Sequence, residues 1–571
     1  MNEDLVARFG RQVADDPSRP AVVEVGHRAG QPVATTATYG ELDASARLIA
    51  GWLRANTAPG DRVLLLHPSP LAFAQAFWGC LYAGCVPVPA PLPGTYSHHL
   101  SLTTGIALDV DPRVVLTDTE HLDLVADWLI QDRLNELALY ATDLINLSQV
   151  QPSEPVERAA AAPAVLQYTA TATSLTGHSL SHQALAADVD RLDAALDLAA
   201  HGTVGGWLPM HHGLGLVGLL LAPLAVGATS VLMSPSAFLK DPVRWLRMLD
   251  DHDVRLTAAP NFAYDLCVRR VAAADVPALD LSRLRTALNG PEKVSEATIS
   301  AFTEHFSPAG LDRRTLTPAY GPTDGVRLIT VSPPGDRIDG PLLTVADRGG
   351  LENDVLQPAA DGVPLVSCGP VEGTGLRIVD PATGRELADG LVGEIRLDDD
   401  VPTGDLGVIH DRQLLPTGPA VDRIRIDQRS LYAEDVEREL ARLDPRFADL
   451  PGCVCAVDVP REQLVVFQEV TPGMVAPELA PLGAAVREGL RDRFKVRVAN
   501  VVFLRPGRIR RTAGRVQRTL MRELFCSDAL DPVYEVLGRQ TAQRYRLAAR
   551  EAAAAGLGAA TGPDPATAAA R

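Results

Sequence analysis

Apolar residues recur along this chain in two rhythms. In TYGELDASARLIAGWLRAN, residues 38–56, they return every three or four positions, which predicts a helix with one buried face. DRVLLLHPS then reads as a buried strand, LAFAQAFWGCLYAGC as a helix, VPVPAP as a strand entering a loop and PRVVLTD as another strand. Residues 163–330 repeat the pattern. PAVLQYTA, ATSVLMS and VRLTAAP read as strands, with HQALAADVDRLDAALDL and PVRWLRMLDDH as helices. Strands alternating with helices predict α/β layers with mostly parallel sheets. Beyond residue 330 the texture changes. GEIRL, DRIRIDQ, CVCAVDV, EQLVVFQEV and NVVFLRP are strands with fewer helices between them, as in a small α+β domain.

Length fits this division, because 571 residues exceed what one core organises. Proline and glycine in PTGPAVD, residues 416–422, mark a linker. The Ala-rich stretch 548–571 is low-complexity and is expected to be disordered.

Composition narrows the function classes. No charge-free run of 18 apolar residues occurs, so no membrane span is expected. The polar, acidic start MNEDLVARFGRQVADD lacks a signal-peptide core, and a cytoplasmic location is expected. A net charge of −18 gives no general attraction to nucleic acid, and the arginine cluster at 505–518 is the one local exception. The seven cysteines form no CxxC pair and sit mostly in apolar runs, as buried reduced thiols do. Only Lys240, Lys293 and Lys495 are lysines, and arginine supplies the other 50 of the 53 basic residues. Lysine-dependent chemistry therefore has three candidates.

The segment LQYTATATSLTGHSLSH, residues 166–182, reads as a strand, a small-residue loop and the start of a helix. That is the outline of a phosphate-cradling loop. The glycines and lysine that usually do the cradling are almost absent.

Motifs further along carry a resemblance. They are WLPMHHGLGLVGLLLAPLAVGATSVLMSPSAFLK at 207–240, AAPNFAYDLCVRR at 258, LSRLRTALNGPEKV at 281, PAYGPTDG at 318, PTGDLG at 402 and RPGRIRRTAGRVQR near the end. In this order and spacing the chain resembles the fatty-acyl-AMP ligases, a branch of the adenylate-forming superfamily, from about residue 5 to about 530. The resemblance implies a large N-terminal domain at 1–417, a hinge at 418–422 and a small, mobile C-terminal domain with a terminal helix at 423–547, with the site between the domains. It also implies ATP, Mg2+ and a fatty or other acyl substrate. An acyl-adenylate would form and pass its acyl group to an acyl carrier protein.

Residue by residue, Asp405 matches the carboxylate that binds the ribose hydroxyls. Tyr320 and Gly321 match the segment that stacks on adenine, and Asn289 and Gly290 match a stretch lining the same pocket. Asp324 stands where the family carries a magnesium-binding glutamate, one methylene longer. His212 matches a histidine near the acyl carboxylate, where an imidazole can move a proton, but Gly213 replaces its usual acidic neighbour. Asp422 matches the hinge position.

Four departures fall on the triphosphate side. In the loop, Ala170, Thr171, Ala172 and Ser174 replace polar and glycine positions, no lysine remains, and only Thr169, Thr173 and Gly177 are left to serve. Arg515 occupies the place of the catalytic lysine of the C-terminal loop, offering a planar fork for a compact ammonium. Pro419 replaces an arginine that contacts the nucleotide. Between GEIRL and PTGDLG only residues 398–401 intervene, where the family has some tens. Three readings stay open: an acyl-adenylate enzyme with altered ATP chemistry, an ATP-independent acyl-transfer enzyme with His212 as base, and a non-catalytic binder of nucleotide, acyl chain or carrier protein.

Overall fold

The computed structural model describes residues 4–547 except 29–30, 95–96, 145–149, 171–174, 322–327, 334–339, 398–400, 427–428, 448–449 and 513–514. Its contacts divide the chain into two compact units. One comprises residues up to 344 with 364–376 and 410–416; the other comprises 345–363, 377–409 and the residues from 417 on.

The first unit holds two mainly parallel sheets and a hairpin. Its strands are β1 (Pro20–Arg28), β2 (Gln31–Thr38), β3 (Arg62–Leu65), β4 (Val86–Pro89), β5 (Val114–Thr117), β6 (Ala138–Ala141), β7 (Pro163–Ala170), β8 (Leu175–Ser181), β9 (Thr203–Gly206), β10 (Thr229–Leu232), β11 (Leu256–Ala259), β12 (Thr286–Asn289), β13 (Leu316–Tyr320) and β14 (Thr330–Val331). The smaller sheet runs β4-β3-β5-β6, parallel throughout. The helix Pro70–Ala83 between β3 and β4 is delimited by sequence. The Ser69 hydroxyl accepts from Ala72 N at 3.1 Å, Pro70 opens the first turn, and Gly84 closes it with φ of 73°. From Phe73 to Ala83 nearly every residue is buried, as expected for a helix apolar on all sides.

The larger sheet runs β14-β13-β12-β11-β9-β10-β1-β2. Its inner strands are parallel, and an antiparallel strand closes each edge. The pairing of β1 with β10 brings an N-terminal hairpin some 200 residues away in sequence onto this sheet. No local pattern announced it.

In the second unit, Arg423–Ile426 and Arg429–Tyr432 form a hairpin followed by the helix Ala433–Leu443. A four-stranded sheet then combines Gly452–Asp458, Glu462–Glu469, Val498–Leu504 and Tyr534–Val536. Alternation sorts its side chains between two cores. Val454, Leu464, Val466, Val501 and Phe503 face one cluster, which includes the helix Ala476–Phe494. Cys453, Cys455, Val465, Phe467, Val502 and Leu504 face the other, with Met521 and Phe525 of the helix Arg518–Cys526. Each fully buried large aliphatic or aromatic side chain contributes about 1.5–3 kcal/mol. PTGPAVD, expected as a linker, is locally ordered as the end of a strand, Gln413–Pro419, and a single 3-10 turn, Ala420–Asp422.

Candidate active site

In parallel α/β sheets, ligands bind beyond the carboxyl ends of the strands, where backbone groups and loop residues converge. In the large sheet β13, β12, β11 and β9 are successive neighbours. Their carboxyl ends carry Tyr320-Gly321, Asn289-Gly290, Pro260-Asn261 and, after Gly206, the run Trp207 to His212. Residues far apart in sequence, each singled out by its motif, thus lie along one sheet edge.

The β9 end is shaped by a tight turn. His212 N donates to Pro209 O at 3.1 Å, and His212 O accepts from Leu216 N at 2.9 Å at the start of the π-helical turn Leu214–Leu221. Gly215 is required there, since a Cβ would lie 2.2 Å from Pro209 O. Trp207 is buried, stacked on Phe238 at 3.9 Å and edge-on to Phe262 at 6.1 Å. The rings of His211 and His212 are 4.7 Å apart.

At the β12 end, Gly290 packs against β13: a Cβ would meet Ala319 O at 2.3 Å. Asn289 is fully buried and its Nδ2 donates to Asn261 Oδ1 at 3.3 Å. Asn261 Oδ1 also accepts from Ser295 N at 3.0 Å, and its Nδ2 donates to Thr298 Oγ1 at 3.2 Å. A backbone N–H can only donate, so Ser295 fixes the orientation of the Asn261 amide and, through it, that of Asn289. Asn289 Oδ1 is left buried without a hydrogen-bond partner. Sequence reasoning missed Asn261, although it lies inside the quoted PNFAYDLC. Tyr320 is buried, and its carbonyl accepts from Ile329 N at 2.8 Å. Asp324 and Thr173 lie outside the described residues, as does the tail 548–571.

The segment 166–182 departs from expectation. LTGHSLS is not loop but strand β8, antiparallel to β7, while the helix begins at His182, where HQALAADVDRLDAALDL predicts it. Thr169 pairs with Thr176 and Gln167 with His178, which places the Thr169 hydroxyl 3.0 Å from His178 Nε2. His178 is a second polar group missed from sequence. Its signal would have been the alternation of GHSLS, hidden by the low strand propensity of glycine and serine.

Within the second unit, Asp405 sits on the strand Val401–His410 where its pairing with Gly393–Leu397 slips. Thr403 Oγ1 donates to Ile395 O at 2.7 Å and accepts from Asp405 N at 3.2 Å, while Gly404 adopts φ of 77°. Such a bulge re-aims the side chain that follows it. Asp422 ends its 3-10 turn with Oδ2 accepting from Arg518 Nη1 at 2.6 Å. Arg515 opens the second strand of a short hairpin, opposite Thr512. Among the described residues no group of three His, Cys, Asp or Glu is placed to hold a metal ion, and no helix is long and apolar enough to cross a membrane.

Comparison with known proteins places the chain in a family. The model of the AMP-binding enzyme family matches residues 9–400. The chain is 31% identical to the medium-chain-fatty-acid–acyl-carrier-protein ligase JamA of Moorena producens, over 88% of this chain and 92% of that one. It is likewise 31% identical to the long-chain-fatty-acid–AMP ligase FadD26 of Mycobacterium marinum, over 87% and 93%. Among solved structures, the fatty acid AMP ligase from Legionella pneumophila superposes with a TM-score of 0.68 at 26% identity, covering 94% of this chain and 98% of that one. A structure from the work on fatty acyl-adenylate ligases of E. coli and L. pneumophila reaches 0.79 at 25% identity, over 91% and 97%. With the motifs of its first unit along one sheet edge and its similarity running along nearly the whole chain, this protein belongs to the AMP-binding enzymes, in the fatty-acyl-AMP ligase branch of the adenylate-forming superfamily.

Proposed function

We propose that the protein handles an acyl carboxylate as its acyl-adenylate and passes the acyl group to the thiol of an acyl carrier protein, with ATP chemistry altered from that of its relatives. The observation that carries this reading is the shared carboxyl edge of β9, β12 and β13, with His212, Asn289-Gly290 and Tyr320-Gly321 along it. An adenine fits the residues there: the unpartnered acceptor Asn289 Oδ1 matches its exocyclic amine. Relatives support the substrate class, since JamA is described as a fatty-acid–carrier-protein ligase and FadD26 as a fatty-acid–AMP ligase.

In this reading a carboxylate oxygen of the acid attacks the α-phosphorus of ATP. The acyl–phosphate anhydride forms as the α–β phosphoanhydride breaks, and pyrophosphate leaves. Tyr320 and Asn289 hold the base, Asp405 accepts the ribose hydroxyls, His212 orients the acid and Arg515 offsets the charge developing on phosphate. Magnesium travelling with ATP would neutralise phosphate charge, and Asp324 is the residue to hold it. Thr169 and Thr173 remain as hydroxyl contacts to phosphate. Residues 1–417 act as the larger domain and 423–547 as the smaller, with 418–422 and Asp422 as the hinge.

The test incubates the protein with ATP, Mg2+ and a panel of fatty acids and looks for acyl-AMP and pyrophosphate. Product formation that falls at least about a hundredfold in Asp405→Ala supports the proposal. An acyl-carrier thioester turned over without ATP would replace it by the transfer reading. Thermal stabilisation by AMP with no turnover of either kind would replace it by the binding reading.

A further inference from the structure

A buried ion cluster of the second unit joins three separate elements. Arg518, the first residue of its helix, donates from Nη1 to Asp422 Oδ2 at 2.6 Å, from Nη2 to Glu437 Oε2 at 2.7 Å and from Nε to Glu437 Oε1 at 3.0 Å. Glu437 Oε1 also accepts from Val454 N at 2.9 Å. The side chains of Arg518, Asp422 and Glu437 are only 12, 15 and 14% exposed. Asp422 ends the turn 420–422, and Glu437 lies on the helix Ala433–Leu443. Arg518 directly follows the hairpin that carries Arg515: Gln517 N donates to Arg510 O at 2.8 Å, closing the hairpin base, and Gln517 O accepts from Met521 N.

Burying two carboxylates on one guanidinium costs desolvation that an apolar cluster of the same volume would avoid, so such a cluster adds little net stability. It does add geometry. The planar fork meets Glu437 with two parallel bonds while its remaining nitrogen reaches Asp422, a geometry that the compact ammonium of a lysine does not reproduce. We propose that Arg518 is a positioning residue that fixes the turn ending in Asp422 and the base of the Arg515 hairpin to a common support, so that the hinge carboxylate and Arg515 keep one geometry. The catalytic consequence rests on the reading of Asp422 as hinge and Arg515 as the charge facing phosphate; the clamp itself does not.

Amide hydrogen exchange on the full-length protein, paired with ATP–pyrophosphate exchange, tests both parts. Arg518→Met should speed exchange at 418–423 and at 510–512 and 515–517 together, by about tenfold or more, while the core strand Val498–Leu504 keeps its protection. Arg518→Lys should loosen the same two segments, because a point-like ammonium cannot keep the bidentate contact with Glu437 together with the bond to Asp422. If Arg518→Met unsettles the whole unit, Arg518→Lys carries the decision. ATP–pyrophosphate exchange should fall about tenfold or more in kcat, with AMP affinity held within about threefold. Loosening of one segment alone, wild-type exchange in Arg518→Lys, or loosened segments with unchanged kcat would each overturn the inference. A wild-type protein that makes no acyl-adenylate would remove the functional reading, and the exchange of the two segments would still decide the clamp.

Discussion

Gly290 shows how little room some positions leave. A Cβ there would lie 2.3 Å from the carbonyl oxygen of Ala319, and neither β12 nor β13 can move aside without breaking their pairing. Gly290→Ala should therefore destabilise the first unit by about 1–3 kcal/mol, read as a lower urea midpoint. A midpoint unchanged from wild type would show that the two strands relax apart. At this scale much was legible. The absence of lysine from 169–177, where Gly177 is the one glycine, and arginine at 515 are facts of the sequence. Partnerships were not. That Thr169 meets His178, that Asn261 orients Asn289 and that Asp422 is held by Arg518 depend on which strands and helices lie side by side.

Between elements, the helix Ala433–Leu443 and the strand Gly452–Asp458 are joined at Glu437, whose neighbours include Arg518, Asp422, Glu434 and Cys453. Burial pushes its carboxyl up from 4.5 to about 7, since Arg518 is shared with Asp422 and cannot offset the full desolvation. Between those pH values the folded protein holds a proton that the unfolded chain has already lost. Stability from this group is thus present below about 4.5 and declines as pH rises through 7. Glu437→Gln cannot titrate, so its urea midpoint should gain on that of the wild type between pH 5 and pH 8. A gap that stays constant with pH would sink this account. Most elements were readable in advance because their periodicity is clean: GEIRL is a strand over Gly393–Leu397, and HQALAADVDRLDAALDL gives the helix His182–Leu196. LTGHSLS was not, since its glycine and serines carry turn propensity and pairing with the partner strand β7 holds it extended.

For the molecule as a whole, apolar surroundings protect its thiols. All seven cysteines are free, and six are buried while Cys526 is half-buried. Burial pushes up the thiols of Cys80, Cys85, Cys267, Cys368, Cys453 and Cys455, which keeps them protonated and unreactive. A disulfide reagent should label about one thiol quickly in the native protein and all seven in denaturant, with the fast phase lost in Cys526→Ser. Several fast-reacting native thiols would contradict the packing. By itself the sequence determined the α/β class, the change of texture past residue 330, the adenylate-forming family and the erosion of its phosphate motifs. Each of these is written in local periodicity or in short motifs, where neighbours in the chain are also neighbours in space. Only the tertiary structure decided that β1 and β2 complete the large sheet, that β8 pairs back on β7, and that the ends of β9, β11, β12 and β13 line one edge. Strand order and the pairing of buried polar groups come from contacts between distant segments, and those are settled by which packing buries the most apolar surface while satisfying the backbone.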